Sequence, residues 1–130
     1  MNTLNIDQLA PLAYSSRLHN SVVETETYLA AARKIMSQPE MENVVAMISA
    51  DPKSGDVIPA SKGLRKLRIP LQGRGKRGGG RVIYWFYNEG YPAVLLWAYA
   101  KNAANDLTPS QRKSVTAIAD NLLDEFRSFQ

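Results

Sequence analysis

Cysteine is absent from this 130-residue chain, and histidine occurs once, at His19. Without cysteine the chain forms no disulfide bond and has no thiol nucleophile or zinc knuckle. A single histidine and scattered carboxylates do not make up the usual acid–base pairs of hydrolases. We therefore interpret His19 as a solvated or packing residue, and we expect neither a metal nor a cofactor.

Long apolar runs and a basic N-terminal region are missing as well. The longest apolar run, Ala93 to Ala100, is far shorter than the roughly 20 residues that cross a bilayer. The first basic residue is Arg17, so the N-terminus lacks the charged start of a signal peptide. An apolar content of 45% argues against disorder, and the length fits one domain. These features predict a cytoplasmic globular protein that does not bind membranes.

Acidic residues are absent from the centre of the chain, between Asp56 and Glu89. Eight of the sixteen Lys and Arg residues lie within this stretch, at positions 62–81, whereas the rest of the chain has eight basic and twelve acidic residues. The net charge of +4 therefore hides a centre of +8 and a remainder of −4. Such a localised positive charge is typical of a surface that binds a polyanion. We predict nucleic acid rather than membrane as the partner.

Two helices are predicted in the first half of the chain. Residues 20–24 favour a short strand, and apolar residues then recur at helical spacing over about 25–36. A second helix begins at Ser37, which has capping-box spacing with Glu40, and it ends at Asp51. The two helices together form a helical hairpin.

Three strands and one helix are predicted in the second half. The strands lie at Leu64–Ile69, Arg81–Tyr87 and Ala93–Ala100, and the last is apolar enough to be covered on both faces. Thr108 and Gln111 have the spacing of a second capping box, which begins an amphipathic C-terminal helix. This order of elements predicts an α+β fold. By itself it predicts a small antiparallel-rich sheet with the helical hairpin and the C-terminal helix packed on it, covering one face.

The aromatic run Tyr84–Tyr87 has two possible roles. Its rings have the chemistry to stack on nucleic-acid bases. Strand alternation, however, turns half of the run inward in any case. We therefore favour core packing over base stacking, and the same argument applies to Trp97 and Tyr99.

A glycine-rich stretch, residues 72–80, separates the first two predicted strands of the second half and carries Arg74, Lys76 and Arg77. It lacks the G-x-x-x-x-G-K-[ST] pattern, and a strand rather than a helix follows it, so a mononucleotide phosphate loop is not predicted. Two interpretations stay open. The stretch is either a cationic loop that contacts phosphates or a solvated hairpin tip.

Strand alternation brings further basic side chains towards one end of the predicted sheet. Lys66 and Arg68 share one face of their strand, Arg81 begins the next strand, and Lys101 follows the last one. Such cations hold a phosphodiester and stabilise the charge that develops on its oxygens. A lysine whose pKa is lowered by neighbouring cations can remove the proton from a ribose 2′-hydroxyl without a metal. The alternative is phosphate binding without cleavage.

The segments GLRKLR and GRGKRGG, the strand that ends in YAKN, and DLTPSQRK resemble the RelE superfamily of toxins, most closely its HigB branch. The resemblance covers about residues 20–126, so we interpret 1–18 as an N-terminal extension and 19–130 as the toxin domain. It implies a RelE-like fold and a ribosome-dependent endoribonuclease of a type II toxin–antitoxin system. The implied reaction is metal-independent 2′-hydroxyl attack in translated mRNA. The implied partners are the ribosome with its mRNA and an antitoxin of helix-turn-helix type, through which alone the protein reaches operator DNA.

The resemblance also implies roles for single residues. The family's catalytic basic residues fall on Lys66, Arg68, Arg81 and Lys101. Contacts to RNA and ribosome are expected from the other cations of the central stretch: Lys62, Arg65, Arg74, Lys76 and Arg77. Asn102 stands where the founding branch has arginine, and the C-terminal helix lacks the family's catalytic tyrosine. The resemblance therefore does not identify the residue that acts as general acid. The alternative function is a catalytically degenerate module that binds an antitoxin or nucleic acid and acts in regulation.

Overall fold

The computed structural model describes residues 21–72, 79–101 and 107–129. His19, the predicted N-terminal extension and the loop residues Arg74, Lys76 and Arg77 lie outside these ranges. The helices and strands follow in the order β1 (Val22–Glu24), α1 (Glu26–Ala32), α2 (Gln38–Ala50), β2 (Asp56–Val57), β3 (Leu64–Ile69), β4 (Gly80–Trp85), β5 (Ala93–Ala100) and α3 (Pro109–Phe129). This order confirms the predicted α+β class.

All five strands form one mixed sheet in the order β1–β5–β4–β3–β2. The strands β3, β4 and β5 form an antiparallel meander, and β2 adds to the outer edge of β3. β1 pairs with β5 in parallel, with Val23 opposite Val94. The Thr25 hydroxyl donates a 2.7 Å hydrogen bond to the Leu95 carbonyl and fixes this pairing. Local sequence did not predict it, because β1 and β5 are about seventy residues apart.

Helices cover both faces of the sheet, so the expectation that they cover one face was wrong. α1 and α2 pack on a cluster that includes Tyr84, whereas α3 packs on a second cluster that includes Trp85. The two aromatic residues are neighbours in β4 and point to opposite faces, yet they are 0% and 1% exposed. Each face therefore needs its own layer of helix. The apolar β5 is an interior strand between β1 and β4, and it is covered on both sides, as predicted.

Both predicted capping boxes are present. The Glu40 amide donates to the Ser37 hydroxyl while the Ser37 amide donates to the Glu40 carboxylate. Thr108 and Gln111 exchange the same pair of hydrogen bonds at the start of α3. These bonds provide acceptors for backbone amides that have no hydrogen-bond partner within the first turn of a helix. None of the helices in the described ranges has the length and apolar character needed to cross a bilayer.

Core packing also explains most of the aromatic run. Tyr84, Trp85 and Phe86 are buried, and only Tyr87 is largely exposed, at 46%. The ring of Tyr87 lies nearly parallel to that of Trp85, with centroids 6.3 Å apart. These aromatic residues therefore build the two cores rather than a base-stacking surface.

Candidate functional site

Three of the predicted catalytic side chains lie on one face of the β3–β4 pair. Arg68 pairs directly with Arg81, and Lys66 pairs with Ile83. Ile83 belongs to the core beneath α3, and side chains alternate along a strand, so Arg81 points to that same face. Its cross-strand partner Arg68, and Lys66 two residues before it, share this orientation. We call Lys66, Arg68, Arg81 and Lys101 the cationic group.

Lys101 joins the cationic group because of a β-bulge in β5. Ile83 pairs with Trp97, but the next residue, Tyr84, pairs with Leu95, so Leu96 is an extra residue in β5. A bulge shifts the alternation of side chains between the two faces by one residue, so every side chain beyond the bulge points to the opposite face. Residues 97, 99 and 101 therefore face the α3 side together with Arg81. Without the bulge, Lys101 would point to the face that α1 and α2 cover.

α3 covers only one end of this face. Its residues Val115 and Leu122 pack on apolar side chains from the other end of the strands, such as Leu64 and Trp85. At the cationic end Arg68 is exposed, and Lys66, Arg81 and Lys101 are half-buried. The fold thus leaves a cationic surface beside an apolar core, on the rigid strands of the sheet.

Among the described residues, no carboxylate compensates the charges of Arg68 and Arg81. Within the described ranges neither arginine forms an ion pair with a carboxylate, whereas Lys53 pairs with Glu89 and Lys62 pairs with Asp120. Among the described residues, Arg81 donates a hydrogen bond from Nη1 to the Gly80 carbonyl at 3.0 Å, and its guanidinium group has further N–H donors. Two like charges directly opposite each other destabilise a sheet. This arrangement is therefore suited to an anion that lies between the two guanidinium groups.

Two glycines let the strands approach closely beneath this surface. A Cβ atom on Gly79 would collide with the Ile69 carbonyl oxygen, and one on Gly80 would lie 3.0 Å from the Tyr99 carbonyl oxygen. The Lys101 amide also donates to the Gly79 carbonyl at 2.8 Å. The last glycines of the glycine-rich stretch therefore serve strand packing, and they bring β3, β4 and the end of β5 together at the cationic group.

A protein-family model, described as the RelE toxin of the RelE/RelB toxin–antitoxin system, matches residues 22–128. The chain belongs to the RelE toxin family. The match runs from the first strand to the last turns of α3 and includes the whole cationic group. This RelE-family protein is accordingly a toxin of a toxin–antitoxin system, and its partner is an antitoxin.

Glu40 links α2 of this RelE-family toxin to the glycine-rich stretch. One carboxylate oxygen accepts the Ser37 amide at 2.8 Å, and the other accepts the Gln72 amide at 2.7 Å. These hydrogen bonds from Ser37 and Gln72 lower the pKa of Glu40 below its usual value. The sequence predicted the contact to Ser37 but not the one to Gln72, because the latter joins residues 32 positions apart.

The structure does not bring Lys62 and Arg65 to the cationic group. Arg65 points to the α1–α2 face, where its Nη1 donates to the Lys53 and Gly55 carbonyls at 3.1 and 2.8 Å. Lys62 lies beside α3, 3.8 Å from the Asp120 carboxylate. The guanidinium of Arg65 thus supports the turn before β2, and both residues lie apart from the arginine pair.

Tyr99 is a functional candidate that sequence reasoning assigned to core packing. It pairs directly with Arg81 and lies two residues before Lys101, on the same side of the bulge. Its side chain is half-buried at the margin of the α3-side core. The two-residue spacing from Lys101 was the available signal, because it places a phenol and an ammonium group on one face of a strand.

Proposed function

We propose that this RelE-family toxin belongs to the HigB branch and is a ribosome-dependent endoribonuclease, which cleaves translated mRNA and thereby inhibits growth. The observation that carries the proposal is the direct pairing of Arg68 with Arg81 at the end of the sheet that α3 leaves uncovered within the described residues. Guanidinium groups make bidentate hydrogen bonds to phosphate oxygens. An RNA phosphodiester supplies the anion that the pair lacks.

The reaction is an intramolecular transfer within the RNA. A base removes the proton of a ribose 2′-hydroxyl, and the oxygen attacks the adjacent phosphorus while the bond to the 5′-oxygen of the next nucleotide breaks. The products are a 2′,3′-cyclic phosphate and a free 5′-hydroxyl, so no water and no oxidant is consumed. Arg68 and Arg81 stabilise the charge on the phosphoryl oxygens. Lys66, or Lys76 of the glycine-rich stretch, serves as the base.

Tyr99 is the proposed proton donor to the leaving 5′-oxygen. A phenol is neutral at physiological pH and donates through a single O–H group. Its pairing with Arg81 places it beside the residue that holds the phosphate. Lys101, two residues further on, adds a positive charge on the same face.

The ribosome supplies the mRNA to this surface in the proposal, so the protein acts in the cytoplasm. The other cations of the central stretch contact rRNA and mRNA phosphates, where each neutralised phosphate adds affinity without sequence preference. They are Lys62, Arg65, Arg74, Lys76 and Arg77. The antitoxin is of helix-turn-helix type and carries the operator-binding function.

Growth arrest and mRNA cleavage in cells test this function. Arg81→Ala, induced without antitoxin, should lose growth arrest and the cleavages within translated codons that primer extension detects, while its circular dichroism and thermal unfolding stay close to those of the parent. Lys34→Ala is the control for charge, since it also removes one positive charge but lies at an exposed position beyond α1. An Arg81→Ala protein that is as toxic as the parent overturns the assignment. A parent protein that binds antitoxin but leaves mRNA intact indicates the regulatory module instead.

A further inference from the structure

A cavity lies at the end of the sheet opposite to the cationic group, between α3 and the strands β3 and β4. Its volume is about 570 Å³, within the usual range of small-ligand sites. It lies beside Trp85, whose cross-strand partner Leu64 precedes Arg68 by four residues, or roughly 13 Å along β3. The lining used below comes from the sheet side and from α3: Lys62, Trp85, Tyr87, Asp120, Leu123 and Asp124. We call this space the α3 cavity.

One wall of the α3 cavity is aromatic. The ring planes of Trp85 and Tyr87 are 8° apart with centroids separated by 6.3 Å, and Trp85 also stacks on Phe126 of α3 at 5.9 Å. The preceding rings of the aromatic run are buried in the cores, whereas Tyr87 remains 46% exposed. Planar conjugated rings stack on such a wall. The wall therefore favours a ligand with a planar ring system.

The wall formed by α3 carries two carboxylates. Asp120 and Asp124 are four residues apart, so they lie on one side of the helix, about 6 Å from each other. Both are exposed, and like charges at this spacing destabilise a helix. An oxygen of Asp120 is 3.8 Å from the Lys62 ammonium nitrogen, whereas within the described ranges Asp124 forms no ion pair. The Asp124 carboxylate can therefore accept two hydrogen bonds from one ligand.

Lys62 stands at the mouth of the cavity on a loop of unusual conformation. Ala60 and Lys62 have φ angles of 57° and 52°, in the left-handed region that costs free energy for residues with a Cβ atom. Arg112 of α3 fixes the loop, since its Nη2 donates to the Pro59 carbonyl at 3.0 Å. Strained backbone of this kind clusters at ligand sites. The loop thus holds an ammonium group whose side chain is 78% exposed, where it can pair with an anionic group of a ligand.

We propose that the α3 cavity binds a guanine nucleotide, either free or as an unpaired nucleotide of RNA. The base stacks on the aromatic wall, and the phosphate pairs with Lys62. The adjacent N1–H and N2–H groups of guanine donate to the two oxygens of Asp124. Adenine, cytosine and uracil do not present two such adjacent donors. The site does not depend on the nuclease function proposed above.

A guanidinium group of a protein partner offers similar donors to a carboxylate. It would, however, bring a further positive charge to a cavity whose lining already contains Lys62 and Arg65, in a chain of net charge +4. A nucleotide supplies the anion, the planar ring and the donors together. The lining therefore favours a guanine nucleotide over an arginine-bearing protein.

Titration calorimetry of the full chain with 5′-GMP and 5′-AMP tests the recognition of the base. GMP should bind about tenfold more tightly than AMP, because guanine satisfies both oxygens of Asp124. Asp124→Asn should weaken GMP about tenfold, since the amide NH₂ group then faces one of the two donors. Asp56→Asn is the matched control, at an exposed position of β2 outside the cavity lining. Absence of GMP binding, equal affinities for GMP and AMP, or parent-like binding by Asp124→Asn overturns the proposal.

Substitutions of Tyr87 test the aromatic wall. Tyr87→Ala should weaken GMP about tenfold, whereas Tyr87→Phe keeps the ring and should bind GMP like the parent. Circular dichroism checks that both variants are folded. Parent-like binding by Tyr87→Ala contradicts the stacking. Displacement of GMP by acetyl-arginine amide at equal concentration indicates a guanidinium site and overturns the proposal.

Arg81→Ala separates this site from the cationic group. The variant should bind GMP like the parent, and a loss of binding would place the nucleotide at the arginine pair and overturn the proposal. The same variant, in which the proposed nuclease site is disabled, distinguishes the two sources of guanine. Tighter binding of the RNA UUGUU than of UUAUU and of GMP identifies a guanine within RNA, whereas exclusion of both RNAs while GMP binds identifies a free nucleotide. Either result supports the site.

Discussion

Arg68 and Arg81 lie directly opposite each other on β3 and β4, and within the described ranges neither has a carboxylate partner. Like charges at directly opposed positions of an antiparallel pair destabilise it. The β3–β4 pair therefore includes an unfavourable contact between like charges. Such an arrangement is expected where a surface is organised for an anion rather than for stability alone.

Replacing one arginine of this pair should make the protein more stable but inactive. Arg68→Gln removes the repulsion, and we expect the free energy of unfolding to rise by about 0.2–1 kcal/mol. Growth arrest should be lost, because the phosphate loses one of its two guanidinium partners. Urea denaturation and induction without antitoxin measure the two effects. Lys34→Gln removes an equal charge elsewhere; if it stabilises the protein as much, the gain reflects net charge and not the pair.

Tyr99→Phe tests the proton donor. The substitution keeps the ring at the margin of the α3-side core, so the thermal midpoint should change little. Loss of the hydroxyl should slow mRNA cleavage by about 10²–10⁴-fold, the usual contribution of a positioned acid or base. Quantitative primer extension after induction gives the rate. Tyr87→Phe, at an exposed aromatic position near the other end of β4, should cleave like the parent. Parent-like cleavage by Tyr99→Phe would assign the donor role to another group.

Glu40→Gln should weaken the junction between α2 and the glycine-rich stretch. The Glu40 carboxylate accepts two backbone amides, whereas a glutamine side chain has one carbonyl oxygen and turns its NH₂ group towards the other amide. We expect a loss of about 1 kcal/mol at neutral pH, as for other helix caps. Urea denaturation measures it, with Glu42→Gln on the same helix as the control.

The Glu40 contribution should also depend on pH. Because hydrogen bonds from Ser37 and Gln72 lower its pKa in the folded state, the unfolded state binds the proton more readily as pH falls. The stabilisation is then complete above the unfolded pKa of about 4.3 and is lost as the pH falls through the lower, folded value. The stability difference between the parent and Glu40→Gln should shrink in this acidic window. A difference that stays constant down to the acid transition would contradict the assignment.

Alkaline pH should destabilise the protein through Tyr28 and Tyr84. Burial raises the pKa of both phenols, so above about pH 10 the unfolded state loses protons that the folded state keeps. The free energy of unfolding should therefore fall as pH rises through this range. Tyr84→Phe should reduce the slope and cost about 1–3 kcal/mol at neutral pH, because the Gly55 amide loses its acceptor. Urea denaturation across this pH range measures the pH slope and the stability loss. If Tyr84→Phe has the same pH slope as the parent, the Tyr84 phenol does not contribute to the alkaline destabilisation.

The sequence by itself determined most of the elements and some of their ends. Capping-box spacing at Ser37 and at Thr108 located two helix starts, because the hydrogen bonds of a cap join residues three positions apart. The apolar run Ala93–Ala100 gave the bounds of β5 and its burial on both faces. The absence of acid around Arg68 and Arg81 indicated where the charge would concentrate. These features depend on residues close together in the chain, so they can be predicted from the sequence without knowledge of the fold.

Tertiary structure decided which side chains meet. The bulge between β4 and β5 turns Tyr99 and Lys101 to the face of Arg81, and simple alternation from Leu95 would have turned them away. Pairing also turned Arg65 to the opposite face, where its guanidinium donates to carbonyls of the turn before β2. Register, bulges and the covering of each face depend on contacts between distant segments. The site is therefore a property of how the strands pair, whereas its charge is a property of the chain.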